Sequence, residues 1–239
     1  MKSRAAFVNM FLLAGIILVI IGIGYLGNIA QKEIYRNKIA RLAQRENIEA
    51  LKKLVEDNPE IIKQRFEKPF NEKDISLVHM VCGNYNLEGI RFLKELGADF
   101  SLETSYGNTP LIILARTEFP TGLECIKEVM GSKSVCASSI ALPNKWGWTP
   151  VLISIKYGQP AYLKEYMRGL KDGGVEVDKN ALLQYAVKNM IECDETIQIV
   201  SYLVSEGANP TRRNSEGESA LDIAQVTQKK KFLEIMANK

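Results

Sequence analysis

The sequence predicts an all-α protein, in which a solenoid of stacked helix pairs follows a single N-terminal transmembrane helix. Three observations support this prediction. The first is an uncharged, apolar run from residue 5 to residue 27. The second is a motif, Gly-x-Thr-Pro followed by an apolar residue, that recurs along the rest of the chain. The third is the spacing of the apolar residues behind each motif, which follows the period of an α-helix.

The apolar run has the length of a membrane anchor. Residues 5–27 contain no charged side chain and one amide, Asn9. As a helix with a rise of about 1.5 Å per residue the run is about 34 Å long, enough to cross a hydrocarbon core of about 30 Å. A cleaved signal peptide is the alternative, but its apolar region is usually about 7–15 residues long and ends at small residues. We therefore expect a basic tail of residues 1–4 and an uncleaved transmembrane helix of residues 5–27.

The basic residues on the two sides of the predicted anchor favour opposite orientations in the membrane. Lys2 and Arg4 precede it, and several basic residues follow it between residues 32 and 45. The short basic tail favours a cytoplasmic N-terminus, which places the repeats on the periplasmic side of a bacterial inner membrane. The four cysteines favour the opposite side, because their spacing is not that of a dense disulfide framework.

The region behind the anchor repeats itself. Residues 97–111, GADFSLETSYGNTPL, and residues 207–221, GANPTRRNSEGESAL, both begin with Gly-Ala. Each continues to a second glycine and then to a hydroxyl residue two positions later. A further copy of the motif lies at residues 147–151, and a degenerate one lies between residues 74 and 99. A recurring unit of this length is typical of a solenoid.

Each motif also contains the signals that start and stop a helix. Thr109 and Thr149 stand before a proline, where a threonine oxygen caps the orphan N–H groups of a helix and proline loses no hydrogen bond. Gly97 and Gly207 follow apolar helical stretches, where a left-handed residue ends a helix at little cost. One helix pair is too small to bury its own apolar face, so neighbouring pairs are expected to stack.

These motifs resemble the ankyrin repeat, a unit of about 33 residues that contains a turn and two helices and carries a Thr-Pro-Leu-His-x-Ala signature. The resemblance covers residues 41–236 and implies about six repeats with short hairpin fingers. We accordingly expect a helical juxtamembrane linker at residues 28–40 and an ankyrin repeat domain at residues 41–239. The resemblance also implies that the concave face, made of the fingers and the inner helices, holds another protein.

The only two tryptophans of the chain, Trp146 and Trp148, fall on one of these fingers. An exposed tryptophan commonly dominates a protein interface. The alternative is that each ring lies back over the neighbouring finger or over the long connection at residues 131–141. For the other finger residues, the alternative is a solvated turn. The predicted partner-binding residues are Tyr106, Asn108, Lys145, Trp146, Trp148, Arg212 and Arg213.

Other functional classes lack support in the sequence. A net charge of +3, from 31 cationic and 28 anionic residues, is too small for a nucleic-acid-binding face. The chain shows no metal-ligand spacing and no glycine-rich phosphate loop, so we expect no cofactor, no metal and no small-molecule substrate. His79 and Cys82 share a helix face, as a Cys-His nucleophile pair requires, but no third orienting group accompanies them. In the ankyrin pattern this histidine is structural, and we expect no enzyme activity.

A single anchor followed by a small, irregular repeat stack is similar to bacterial membrane-tethered ankyrin proteins. Some of those act as immunity proteins that neutralise secreted antibacterial effectors such as lipases, and this is the specific role expected here. The alternative is an envelope scaffold or assembly factor that recruits a resident membrane complex with the same surface.

Overall fold

The structure of the chain is a computed structural model that describes residues 33–67 and 72–237. These residues are helical apart from their connections, and their only β-type pairing is an isolated antiparallel bridge between Phe66 and Ile75. None of their helices is both long enough and apolar enough to cross a bilayer. The predicted anchor, residues 5–27, lies outside the described residues.

The described residues form thirteen α-helices and two short 3₁₀ helices, Arg45–Asn47 and Pro59–Lys63. The α-helices are α1 (33–42), α2 (Ile48–Asp57), α3 (Leu77–Gly83), α4 (Leu87–Glu95), α5 (Pro110–Leu114), α6 (Gly122–Met130), α7 (Ala137–Ala141), α8 (Pro150–Lys156), α9 (Pro160–Asp172), α10 (Lys179–Asn189), α11 (Asp194–Ser205), α12 (Ala220–Val226) and α13 (Lys230–Ala237).

Twelve of these helices form six consecutive pairs: α1 with α2, α3 with α4, α5 with α6, α8 with α9, α10 with α11 and α12 with α13. The second helices contact one another in the order α2, α4, α6, α9, α11 and α13. The first helices from α3 to α12 contact one another in the same way. Two parallel rows of helices result, as in the predicted solenoid of about six repeats. The remaining helix, α7, is an insertion in the long connection after α6 and packs against α8 and α9.

The predicted helix starts are confirmed. The Thr109 side chain accepts a hydrogen bond from the N–H of Ile112, and the Thr149 side chain accepts one from the N–H of Leu152. In both helices a proline occupies the first turn, where its missing N–H costs nothing. The helix ends follow the prediction as well, since Gly97 has a φ of 74°, in the left-handed region.

One hydrophobic core extends through the stack, from Ile39 in α1 to Met236 in α13. Ile39 is fully buried, although its position falls within the predicted linker of residues 28–40. The reason is that α2 cannot cover its apolar face alone and needs α1 as the first helix of its pair. At the other end, Lys230 and Lys231 are exposed while Phe232 is buried, so α13 presents the polar outer surface expected of a terminal repeat.

The connections between successive pairs form the fingers. Four of them are long enough for a hairpin. We call these the first finger (residues 64–67 and 72–76 as described), the second finger (98–109), the third finger (142–149) and the last finger (208–219). The connection between the fourth and fifth pairs, residues 173–178, is a short turn without a hairpin. The row of fingers is therefore interrupted between the third and the last.

Candidate protein-binding site

The tip of the third finger is held by the side chain of Asn144. Its Oδ1 atom accepts hydrogen bonds from the N–H groups of Trp146 and Trp148, both at 3.0 Å. Gly147 closes the turn with a φ of 79°, a conformation that costs glycine little. The N–H of Gly147 donates to the carbonyl of Asn144 at 2.9 Å. The second and last fingers have the same arrangement, with Thr104 and Asn214 in the place of Asn144.

Backbone hydrogen bonds join the first three fingers to one another. The N–H of Ser105 in the second finger donates to the carbonyl of Lys73 in the first, at 2.9 Å. The N–H of Lys145 in the third finger donates to the carbonyl of Tyr106 in the second, at 3.0 Å. The three tips therefore form one ladder and hold their side chains in a fixed register.

A buried chain of polar side chains lies beneath this ladder. The Asn108 amide donates to Oε1 of Glu72 at 2.9 Å, and the Asn144 amide donates to Oδ1 of Asn108 at 2.9 Å. All three side chains are buried. This corrects the prediction that Asn108 contacts a partner: its side chain is fully buried because both ends of the amide bind neighbouring fingers. Its role is to position the residues that are exposed.

The two tryptophans have different surroundings. Trp146 is 59% exposed, and its ring is tilted against that of Tyr106, which is 39% exposed, with 4.9 Å between the centroids. Trp148 is half-buried, and its ring meets that of Tyr185 in α10 edge-on, at 6.2 Å. The Nζ atom of Lys156 lies 4.4 Å from the centroid of the Trp148 ring, a cation–π contact. The Trp146 ring contacts the neighbouring finger, as the alternative in the sequence analysis predicted. More than half of its surface is nevertheless exposed to solvent.

The charges around these rings are mainly positive. Among the described residues, Lys145 and Lys156 form no ion pair with a carboxylate. Arg212 lies near Asp178, and the hydrogen bond from the N–H of Ala181 together with the positive charge of Arg212 lowers the pKa of that carboxyl group. The nearby carboxylates of Glu216 and Glu218 are both paired with Lys188, at 3.4 Å and 3.6 Å. Arg213, a predicted contact, pairs with Asp222 at 3.2 Å. We call the resulting surface the aromatic–cationic patch; it consists of Tyr106, Lys145, Trp146, Trp148, Lys156, Tyr185 and Arg212.

Lys156 and Tyr185 did not emerge from the sequence as site residues. Both lie on first helices of their pairs, α8 and α10, and not on a finger. The sequence could not identify them, because a single lysine and a single tyrosine on amphipathic helices look the same as ordinary solvent-exposed residues. Only the stacking of the pairs brings them next to Trp148.

His79 and Cys82 do not form a catalytic pair. The Nδ1 atom of His79 accepts a hydrogen bond from the N–H of Ser76 at 3.2 Å, so Nε2 carries the proton. Nε2 lies 3.0 Å from the carbonyl of Leu102 and 3.2 Å from that of Asn108 and donates to them. The histidine therefore ties α3 to the second finger. Burial raises the pKa of the Cys82 thiol, which disfavours the thiolate that a nucleophile needs.

Within residues 33–67 and 72–237, no hydrogen bond links the two side chains. No group of three His, Cys, Asp or Glu residues is arranged there to hold a metal ion.

The buried histidine makes stability depend on pH. Burial lowers the pKa of His79 to about 4, whereas an unfolded histidine titrates near about 6.5. The unfolded chain therefore binds the proton first, and stability falls as the pH drops from about 6.5 towards 4. We expect the free energy of unfolding to decrease by about 2 kcal/mol between pH 7 and pH 5 from this residue. Urea unfolding of the full chain in detergent, followed by circular dichroism, measures this change.

The control for this prediction is His79→Gln, which removes the titrating group. The variant is expected to be less stable at pH 7 and to show a flatter pH profile. If the free energy of unfolding falls equally from pH 7 to pH 5 in the wild type and in His79→Gln, then His79 does not titrate between these pH values.

The paired helices, the Thr-Pro helix starts and the hairpin ladder together define an ankyrin repeat fold. Solved structures agree with this assignment. The chain is similar to a crystallised ankyrin repeat protein, with a TM-score of 0.64, 18% identity and coverage of 83% of this chain and 96% of the other. It is also similar to an ankyrin repeat domain from Acinetobacter baumannii AYE, with a TM-score of 0.65, 17% identity and coverage of 85% and 97%.

A third similar structure comes from a complex of a predatory endopeptidase of Bdellovibrio bacteriovorus with an immunity protein. The TM-score is 0.63 at 15% identity, and the match covers 84% of this chain and 97% of the other. At these identities the similarity shows the fold alone. No protein-family model and no curated protein matches the sequence.

Proposed function

We propose that the chain binds another protein through the aromatic–cationic patch. The observation that carries this proposal is the exposed pair Tyr106 and Trp146, which stands on a backbone ladder held by buried hydrogen bonds. Aromatic and arginine side chains are enriched in interface cores. Binding is tighter when the surface does not have to lose conformational entropy on contact with the partner. Here the hydrogen bonds of Asn144 and of the finger ladder already order the surface before binding.

The particular role that we propose is that of an immunity protein, which neutralises a secreted antibacterial effector such as a lipase. The similar fold found in the endopeptidase complex with an immunity protein supports this proposal. An anchor at residues 5–27 would hold the repeats on the periplasmic side of a bacterial inner membrane, where an exported hydrolase meets its substrate. In this role the chain inhibits the effector by binding to it, without catalysing a reaction.

An intoxication assay tests this role. A secreted antibacterial lipase is exported into the periplasm of a test strain, with and without the full chain. We expect the chain to restore growth, and we expect a variant carrying Tyr106→Ala and Trp146→Ala to protect poorly at equal abundance. The control carries Ile191→Ala and Val226→Ala. Ile191 lies in the connection between α10 and α11, and Val226 is the last residue of α12. They are 79% and 83% exposed and do not belong to the patch, so this variant should protect fully.

Absence of protection by the wild-type chain would reject the immunity role. Loss of a resident envelope complex when the gene is deleted would then favour the scaffold.

A further inference from the structure

The start of α1 is close in sequence to the predicted anchor. The uncharged run ends at residue 27, and α1 begins at residue 33. Even a fully extended connection between these two positions spans at most about 22 Å, and a bent or helical one spans less. An anchor at residues 5–27 therefore keeps the first helix pair near the lipid headgroups.

One face of α1 is not covered by any other element of the described residues. Ile34, Asn37, Lys38 and Arg41 follow the helical spacing that places residues on the same side of a helix, and all four are exposed. On the opposite side Ile39 is fully buried in the core. Because α1 is the first described helix of the stack, no preceding repeat packs on its exposed face.

The exposed face has the composition of a helix that contacts lipid. Ile34 is 69% exposed, and the neighbouring Tyr35 is 39% exposed, with its hydroxyl accepting a hydrogen bond from the Asn58 amide at 3.3 Å. Lys38 and Arg41 form no ion pair with a carboxylate of the described residues. Helices in the membrane interface bury apolar and aromatic side chains among the headgroups and carry basic residues on their polar side.

The carboxylates near this face come from three places. Glu33 of α1 is paired with Arg36 at 3.0 Å, and Glu46 lies in the short 3₁₀ helix that follows α1. The partner helix α2 carries three carboxylates and two ammonium groups, those of Glu49, Glu56, Asp57, Lys52 and Lys53. The first pair as a whole therefore does not attract lipid by net charge. The distinctive feature is a single face of α1 that combines exposed apolar surface with cations and contains no carboxylate.

We propose that this face of α1 lies on the phospholipid surface of the membrane that holds the anchor. Ile34 and Tyr35 lie among the headgroups, and Lys38 and Arg41 contact lipid phosphates. The inference rests on the anchor included in the proposed function and goes beyond it by assigning a lipid-binding site to the first repeat. The anchor and α1 then attach the stack to the bilayer at two points, which gives the fingers a fixed orientation relative to the membrane.

The test uses the full chain in lipid nanodiscs that contain phospholipids with a nitroxide on the headgroup. A fluorescent dye is attached at Asn37→Cys, in a chain whose accessible cysteines are removed by Cys136→Ser and Cys193→Ser. We expect the nitroxide lipid to quench this dye, because residue 37 lies on the face that contacts the headgroups. Nanodiscs without the nitroxide give the unquenched reference.

Two variants show whether the α1 face itself causes the contact. Ile34→Ser, Lys38→Gln and Arg41→Gln together should abolish the quenching, because they remove the apolar side chain and both cations. The matched control carries Lys38→Arg and Arg41→Lys, keeps both charges and should be quenched as strongly as the chain without these changes. The substituted side chains are exposed, so circular dichroism should show both variants folded.

The outcomes separate this inference from the proposed function. An unquenched dye in a chain that the nanodiscs retain would overturn the inference. Quenching that the three substitutions leave unchanged would also overturn it, because the dye would then report only its closeness to the anchor. Neither result affects the aromatic–cationic patch, which is tested by the affinity of a partner for the Tyr106 and Trp146 variant. If the nanodiscs do not retain the chain, the anchor is wrong, and this inference fails with it.

Discussion

Replacing Tyr106 and Trp146 together by alanine is expected to weaken the complex with the partner protein by at least about 3 kcal/mol, or roughly a hundredfold in Kd. The two rings contact each other and are the exposed aromatic residues of the finger tips. Their removal takes away the exposed aromatic surface that a partner would cover. Isothermal titration calorimetry with the purified effector measures the change.

The control for this prediction is the variant carrying Ile191→Ala and Val226→Ala, which removes exposed apolar surface elsewhere. Its affinity should equal that of the wild type. If the aromatic variant also keeps the wild-type affinity, the finger tips are not the interface. Circular dichroism should show both variants folded, because neither pair of side chains belongs to the buried core.

Asn144→Ala is expected to lower the free energy of unfolding by about 2–4 kcal/mol. The side chain accepts two backbone hydrogen bonds within its own turn and donates one to Asn108 in the neighbouring finger. Alanine satisfies none of these groups, and the Oδ1 atom of Asn108 would be left buried without its donor. Urea unfolding of the full chain in detergent at pH 7 measures the loss.

The last finger provides a matched comparison for this prediction. Asn214 accepts the same two hydrogen bonds in its own turn, but among the described residues its amide donates no hydrogen bond to a neighbouring finger. We expect Asn214→Ala to cost about 1–2 kcal/mol, less than Asn144→Ala. Equal losses would mean that the buried polar chain between fingers contributes nothing to stability.

Local features of the fold could be predicted because local residues determine them. A threonine before proline caps a helix through its own side chain, and Thr109 and Thr149 do so in the structure. A glycine after a helix adopts a left-handed φ without help from other repeats, as Gly97 does. Repeated motifs of this kind identify the fold because each repeat contacts only its neighbours.

The site was less predictable, because it depends on contacts between repeats. Trp146 and Trp148 are two positions apart in sequence, yet the Trp146 ring contacts Tyr106 of the second finger and the Trp148 ring contacts Tyr185 of α10. Asn108 looked like a tip residue, but hydrogen bonds from both sides bury it. Lys156 joins the patch only because α8 places its ammonium group over Trp148.

The sequence by itself determined the repeat unit, the helix starts at Thr109 and Thr149 and the finger that carries both tryptophans, since these follow from capping, backbone freedom and helical periodicity. The tertiary structure decided which of those side chains remain exposed. It also joined three fingers in one ladder and interrupted the row of fingers at the short connection between the fourth and fifth helix pairs. Exposure and register arise from the stacking of neighbouring repeats, and no single repeat contains that information.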